Sequence, residues 1–202
     1  MISDYKLVLA SNSPRRKELL AGLGLDFSTR VLDGIDETYP AGLEVSQIPL
    51  YISRVKADAY RSAMNEGELI ITADTIVAVD DVVLGKPSDY QDAVRMLSML
   101  SGRCHQVITG VTLTAADRQK SFSVTTDVWF SELTEQEIDY YVRNYKPFDK
   151  AGAYGIQEWI GYIGVERMEG SYFNVVGLPV QRLYRELTDF CHFGEVSSDN
   201  PK

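Results

Sequence analysis

KLVLASNSPRRKELLAGLG, residues 6–24, carries a strand into a helix with almost no loop between them. Lys6–Ala10 is a short apolar run of the buried-strand type. Ser13 suits the helix N-cap, and Pro14 suits the first helical position, where its missing N–H is no loss. Leu19, Leu20 and Leu23 then supply an apolar face, and Gly24 suits the C-terminal stop. A strand that opens directly into a helix presents free backbone N–H groups and the positive end of the helix dipole, which together attract an anion. Arg15 and Arg16 fall in the first helical turn, where each cation opposes the dipole by ~0.3–1 kcal/mol. A phosphate held by Ser11, Ser13, Arg15 and Arg16 would offset that cost, whereas a helix with no ligand favours Asp or Glu there.

Working outward, the same alternation continues. Ile52, Val55, Ala59 and Ala63 predict a helix after Pro49, and Leu69–Ala73 (LIITA) predicts a short buried strand. Ile76–Leu84 reads as a further extended stretch with a turn at Asp80-Asp81. Ser88 and Gln91 form a capping-box pattern ahead of Ala93, Met96, Leu97 and Leu100, and Gly102 ends that helix. Cys104–Thr114 and Ser121–Phe130 predict an antiparallel pair around the polar turn 116–120. Thr134 and Glu137 repeat the capping box before Ile138, Tyr141, Val142 and Tyr145. Short strands are expected at Trp159–Val165 and Ser171–Val176, then a helix from Pro179 with Val180, Leu183, Leu187 and Phe190 on one face. The sum is an α/β fold with a mixed, partly antiparallel sheet flanked by helices. Residues 1–193 read as a single domain, and the polar stretch 194–202 as a disordered tail.

Composition narrows the function. A net charge of −9 over 202 residues is wrong for coating DNA or RNA, where affinity rests on phosphate neutralisation. No apolar run approaches the ~18 residues of a membrane span. The first nine residues lack a basic region followed by a long apolar stretch, so no secretory leader is expected. Cys104 and Cys191 lie far apart with no metal-like spacing and read as reduced thiols of a cytoplasmic protein. His105 and His192 have no partner pattern for a nucleophilic triad, so covalent catalysis is not supported. What remains is local chemistry. Asp74, in Thr72-Ala73-Asp74-Thr75, reads as a carboxylate at the C-terminal end of the LIITA strand, a common place for a metal ligand or base, although a turn-forming Asp is the commoner reading. Glu37 offers a second carboxylate, Lys56 lies beside the apolar stripe of its helix, and Lys86 sits at the sharp turn Gly85-Lys86-Pro87. Residues 149–157, DKAGAYGIQ, read as a tight glycine loop flanked by an acid–base pair.

The order of these motifs is more specific than any one of them. LASNSPRR, GIDE, RVKA, ADTIV, GKP, DKAGAYGIQ and GSYFNVVGLP, in that sequence, resemble the Maf-like nucleotide pyrophosphatases, from Leu7 to about Phe190. One small departure is Asn12, where glycine or other small residues also appear. The resemblance implies two lobes around a central cleft, often in a homodimer. It also implies metal-dependent hydrolysis of a nucleoside triphosphate to the monophosphate and pyrophosphate. Residue by residue, it makes Asp74 the catalytic acid position, with Glu37 and Asp74 the ligands of Mg²⁺ or Mn²⁺. Arg15, Arg16, Lys56 and Lys86 become the phosphate-binding cations. Arg15, Thr75 and Gln157 match the branch acting on dTTP and UTP, not the sister branch acting on 7-methyl-GTP. Chemistry agrees: phosphoryl transfer needs positioning and charge neutralisation more than a strong base. Asp74 would orient water, ligate the metal, or do both. Gln157 carries a donor and an acceptor together, which suits the carbonyl and imide edge of uracil or thymine. A rival reading makes the chain a nucleotide-binding regulator of septum formation with little turnover.

Overall fold

The computed structural model describes residues 5–192, so the stretch 194–202 lies outside the described residues. β1 (Lys6–Leu9) leads into α1 (Pro14–Ala21), whose N-cap is Ser13: its side-chain oxygen accepts from Arg16 N at 3.4 Å. The helix ends at Gly22, two residues before the expected stop, and Gly24 follows in the left-handed region. Then come β2 (Phe27–Thr29), α2 (Ile48–Arg61), β3 (Glu68–Val79), β4 (Val82–Leu84) and α3 (Tyr90–Leu100). The second half holds β5 (Cys104–Thr114), β6 (Gln119–Phe130), α4 (Glu135–Tyr145) and α5 (Trp159–Gly164), followed by β7 (Val165–Glu169), α6 (Tyr172–Val176) and α7 (Val180–His192). One mixed sheet runs β2-β1-β3-β5-β6-β7, with β4 also on β3. β1 pairs parallel with β2 and β3, and the remaining ladders are antiparallel.

Three expectations change. β3 is one strand of 12 residues running straight through Asp74, not a short strand ending before it. Its nine-residue antiparallel register with β5, from Ile70↔Thr114 to Ala78↔Gln106, holds Asp74-Thr75 extended where isolated sequence reads as a turn. The two segments read as strands, Trp159–Val165 and Ser171–Val176, are almost wholly helical, and the strand lies between them. Ser171 caps α6 by accepting from Asn174 N, and Asn174 Nδ2 donates to Val107 O and Thr126 Oγ1, so tertiary bonds override the β propensity of these side chains. At α3 the cap is Asp89, whose side chain accepts from Asp92 N, one residue beyond the predicted Ser88. The Thr134–Glu137 capping box forms as expected.

β3 and β5 serve two cores at once. On one face, Leu69, Ile71, Ala73, Val111 and Leu113 pack against Leu20 of α1 and Leu183 and Leu187 of α7. Farther along the same face, Val77, Val79 and Val107 pack with Met96, Leu97, Ile138 and Val142 of α3 and α4. Between these cores Thr75 and Thr109 meet, Oγ1 to Oγ1, at 2.9 Å. The opposite face repeats the pattern beneath α2. Ile70 packs with Tyr60, and Ile76 and Ile108 pack with Ile48 and Ile52. The polar seam there is Thr72, Ser53 and Thr112, joined by bonds of 2.7 and 2.8 Å. α2 comes very close to β5: a Cβ on Gly110 would lie 2.4 Å from the backbone of Pro49 and Leu50. On each face of the shared sheet, two apolar clusters are therefore separated by a polar seam.

Candidate active site

The seam is also where β3 loses a neighbour. β1 pairs with Glu68–Ile71 and β4 with Val77–Val79, both on the edge opposite β5. Between them Thr72–Ile76 has no strand on that edge among the described residues. A cavity of about 770 Å³ straddles the gap and reaches both faces of the sheet. Five cationic side chains line it (Arg15, Arg16, Lys56, Lys86 and Lys150) against four carboxylates (Asp33, Glu37, Asp74 and Asp149). In a chain of net charge −9 this is a cation-rich exception suited to a small polyanion.

Alternation along β3 sends Asp74 to the α2 face and Thr75 to the other. On the α2 side, Lys56 Nζ lies 2.9 Å from Asp74 Oδ1 and 3.0 Å from Glu37 Oε2. Asp74 and Lys56 are mostly enclosed, and Glu37 is more than half exposed at the cleft mouth. The segment carrying Glu37 is tied to α2 by Tyr60, whose hydroxyl accepts from Leu32 N and donates to Arg30 O, both at 2.9 Å. Two carboxylates from separate segments thus already converge on one positive charge. Among the described residues no group of three or more metal-type side chains occurs. Two hard oxygen donors nonetheless fit Mg²⁺ or Mn²⁺, which is commonly held by one or two carboxylates and completed by water and substrate phosphates.

On the other face, Arg16 Nε donates to Gly177 O (2.9 Å), Nη1 to Ala73 O (2.8 Å) and Nη2 to Thr75 Oγ1 (3.0 Å). Burial lowers its pKa, and the charge of Asp74 opposes that shift. Arg15 Nη1 meets Asp149 Oδ2 at 2.7 Å. Burial alone would raise the Asp149 carboxyl, but its bonds to Lys150 and Arg15 outweigh that and hold it at about 2. The dipole-opposed arginines are therefore compensated by protein acceptors. The row of free N–H groups expected at α1 is also partly taken: Ser13 N donates to Ser11 Oγ at 3.1 Å, and Arg16 N to Ser13 Oγ. Side-chain hydroxyl and guanidinium groups add further donors there.

Lys86 is exposed on the cleft rim, where Gly152 N donates to Gly85 O at 3.0 Å. Gly152 has φ +68, and a Cβ there would lie 2.9 Å from Val77, so only glycine fits. Gln157 lines the cavity, and its Oε1 is buried with no hydrogen-bond partner, an acceptor facing no donor. The structure thus brings Ser11, Ser13, Arg15, Arg16, Glu37, Lys56, Asp74, Thr75, Lys86 and Gln157 to one cleft. Sequence reasoning noted the Asp149-Lys150 pair without giving it a place, and missed Glu158 and Tyr141 behind it. His105 Nε2 lies 2.7 Å from Tyr154 OH, and burial holds its imidazole at about 3, consistent with no role as a base.

A family model described as Maf-like protein matches residues 6–190. A Phocaeicola vulgatus protein named dTTP/UTP pyrophosphatase is 63% identical over 186 residues, covering 92% of this chain and 96% of its own. A Bacteroides thetaiotaomicron protein of the same name is 60% identical with the same coverage. Among solved structures, the Staphylococcus aureus Ham1 protein is similar in fold, with a TM-score of 0.53 and 16% identity over 90% of this chain and 99% of its own.

Proposed function

The chain belongs to the Maf-like protein family, and from that premise we propose that it hydrolyses dTTP and UTP to the nucleoside monophosphate and pyrophosphate. The observation that carries this reading is the cleft at the gap in β3, with Lys56 and two carboxylates on one face and Arg16 with Thr75 on the other. Arg15, Lys86 and the hydroxyl groups of Ser11 and Ser13 surround the triphosphate, and Arg16 joins them with the N–H groups its backbone bonds leave over. Asp74 orients a water for attack on the α phosphorus, and the new P–O bond forms there as the water's proton passes to the Asp74 carboxylate. The bond to the bridging oxygen breaks, and pyrophosphate leaves with the electron pair toward the lysines. Asp74 and Glu37 are the residues that would hold a divalent cation, whose chemistry is to neutralise phosphate charge and fix the triphosphate geometry.

Base choice rests on Gln157. Gln157 lines the cavity, and its amide pairs an N–H donor with a C=O acceptor, matching the carbonyl and imide N–H of uracil and thymine. Cytosine has a bare ring nitrogen at the imide position. The Gln157 Oε1, buried and unpartnered where it stands, gains a donor once the amide turns to the base. Relatives about 60% identical that carry the name dTTP/UTP pyrophosphatase support the same substrates. Pyrophosphate release and kcat/KM for dTTP, UTP, dCTP, GTP and 7-methyl-GTP, in wild type and Gln157→Ala, test this. A preference for dTTP and UTP of ~10- to 100-fold over dCTP, lost in the variant, is expected. A wild-type preference for 7-methyl-GTP would overturn the substrate assignment, and equal rates on all five would overturn the base argument. Among the described residues no helix is long and apolar enough to cross a membrane. Family membership supports a cytoplasmic homodimer, which cell fractionation and sedimentation velocity test.

A further inference from the structure

Behind the Gln157 turn lies a chain of alternating charges that starts at Arg15 and continues through residues to which the hydrolysis reading gives no part. Arg15 Nη1 pairs with Asp149 Oδ2 (2.7 Å), and Asp149 Oδ1 accepts from Lys150 Nζ (2.8 Å). Lys150 Nζ also lies 3.1 Å from Glu158 Oε1. The other oxygen of Glu158, Oε2, accepts from the Tyr141 hydroxyl, and that hydroxyl in turn accepts from Gly155 N at 3.0 Å. Glu158 N donates to Gly155 O at 2.9 Å and closes the turn that contains Gln157. Lys150 and Tyr141 are buried.

As scaffolding this is an expensive arrangement, because an enclosed ion pair is often no more stable than well-packed apolar residues of similar volume. Its location gives it another use. It runs from the arginine assigned to the phosphates to the backbone on both sides of the glutamine assigned to the base. Building on that assignment, we propose that Glu158 is a specificity-determining positioning residue: held through both oxygens by Lys150 and Tyr141, it fixes the Gly155–Glu158 turn, and with it the backbone from which the Gln157 amide meets the base in one orientation. A glutamine free to rotate its amide would offer Nε2 to cytosine as readily as Oε1 to uracil, and discrimination would vanish while turnover continued.

Glu158→Gln is the near-isosteric test. The amide either keeps its oxygen toward Lys150, so that Nε2 must donate to the Tyr141 hydroxyl where the carboxylate accepted from it, or turns Nε2 toward the Lys150 ammonium and loses that bond. In both cases the negative charge shared by the two donors is gone. Tyr141→Phe removes the hydroxyl and leaves the carboxylate, which guards against an artefact of either variant alone. The measurement is kcat/KM for dTTP and for dCTP in wild type, Glu158→Gln, Tyr141→Phe and Gln157→Ala, with Tm recorded for each. Expected is a dTTP:dCTP ratio that falls from ~10- to 100-fold in wild type to within about threefold in both variants. The kcat for dTTP should stay within about threefold of wild type, a smaller loss than the ~10²-fold expected of a group acting at the reacting phosphate. A purely structural role would lower both substrates together, leave the ratio intact and overturn the proposal. An intact ratio in both variants alongside a collapsed ratio in Gln157→Ala would overturn the role of Glu158 and leave the substrate reading standing. A wild type that does not discriminate, or a Gln157→Ala that still does, would overturn both.

Discussion

Replacing Asp74 with Asn changes one oxygen to an amide nitrogen in an enclosed part of the cleft. In the native site Lys56 Nζ stands 2.9 Å from Asp74 and 3.0 Å from Glu37, so the variant leaves Lys56 with one carboxylate instead of two. Stranding a buried charge with no partner costs ~3–5 kcal/mol. Here Glu37 remains, and both Asp74 and Lys56 keep some contact with solvent at 14% side-chain exposure, so the loss should be lower, about 1–2 kcal/mol. For a chain of this length that lowers Tm by roughly 2–8 °C, and the protein stays folded at assay temperature. The chemical step should suffer far more. Loss of the carboxylate that orients water and helps hold a cation removes ~2.7 kcal/mol or more of transition-state stabilisation, which is ~10²-fold or more in kcat. Pyrophosphate release on dTTP gives kcat, and differential scanning calorimetry gives Tm on the same sample. A variant keeping more than about half of wild-type kcat would refute the assignment of Asp74. A Tm loss far beyond this range would show that the Asp74–Lys56 pair supports the fold instead.

Gly110→Ala should lower stability by ~1–3 kcal/mol or more, because its Cβ would press within 2.4 Å of Pro49 and Leu50. α2 carries Lys56, so kcat should drop with Tm, and a variant unchanged in both would refute the close approach. Glu68 is held at about 2, against an ordinary 4.5, chiefly by its hydrogen bonds from Arg30, with Asn65 adding to them against the opposing effect of burial. A depressed carboxylate stabilises the fold fully above its unfolded value, so that contribution should be lost as pH falls from about 4.5 toward 2. Urea unfolding of wild type and Glu68→Gln across this window should show a steeper acid loss in wild type, and parallel curves would refute the assignment. Excess EDTA should cut pyrophosphate release at least ~10²-fold, restored by Mg²⁺ or Mn²⁺, and full activity in EDTA would remove the cation from the reaction.

Two of the three predicted helix caps were legible, because Ser13 and the Thr134–Glu137 box act within four residues of themselves, whereas the start of α3 was misread by one residue at Ser88. The last helix was legible too, since Val180, Leu183, Leu187 and Phe190 all end up buried on one face. What failed was whatever depended on distant partners. Asp74-Thr75 reads as a break in isolation and is extended only because β5 holds it on one edge. Residues 159–164 look like a strand from their aromatic and β-branched side chains, yet Gly161 N donates to Glu158 O and Ile160 is fully buried at the start of a helix. The site divides in the same way. Residue type and motif order pointed to Arg15, Lys56, Asp74 and Gln157, but Tyr141 and Glu158 came into view only when α4 was placed behind the 149–158 segment.

The gap beside Thr72–Ile76 has a consequence for solubility as well as for chemistry. A central strand with a bare edge is a template onto which another extended chain can add. Here the opening is five residues long and closed at both ends by β1 and β4. It carries the charge of Asp74, and the guanidinium of Arg16 occupies the Ala73 carbonyl that an incoming strand would seek. The charged groups that line the cleft thus also guard this edge of the sheet. A change that empties this pocket of charge would leave a bare five-residue edge open to strand addition.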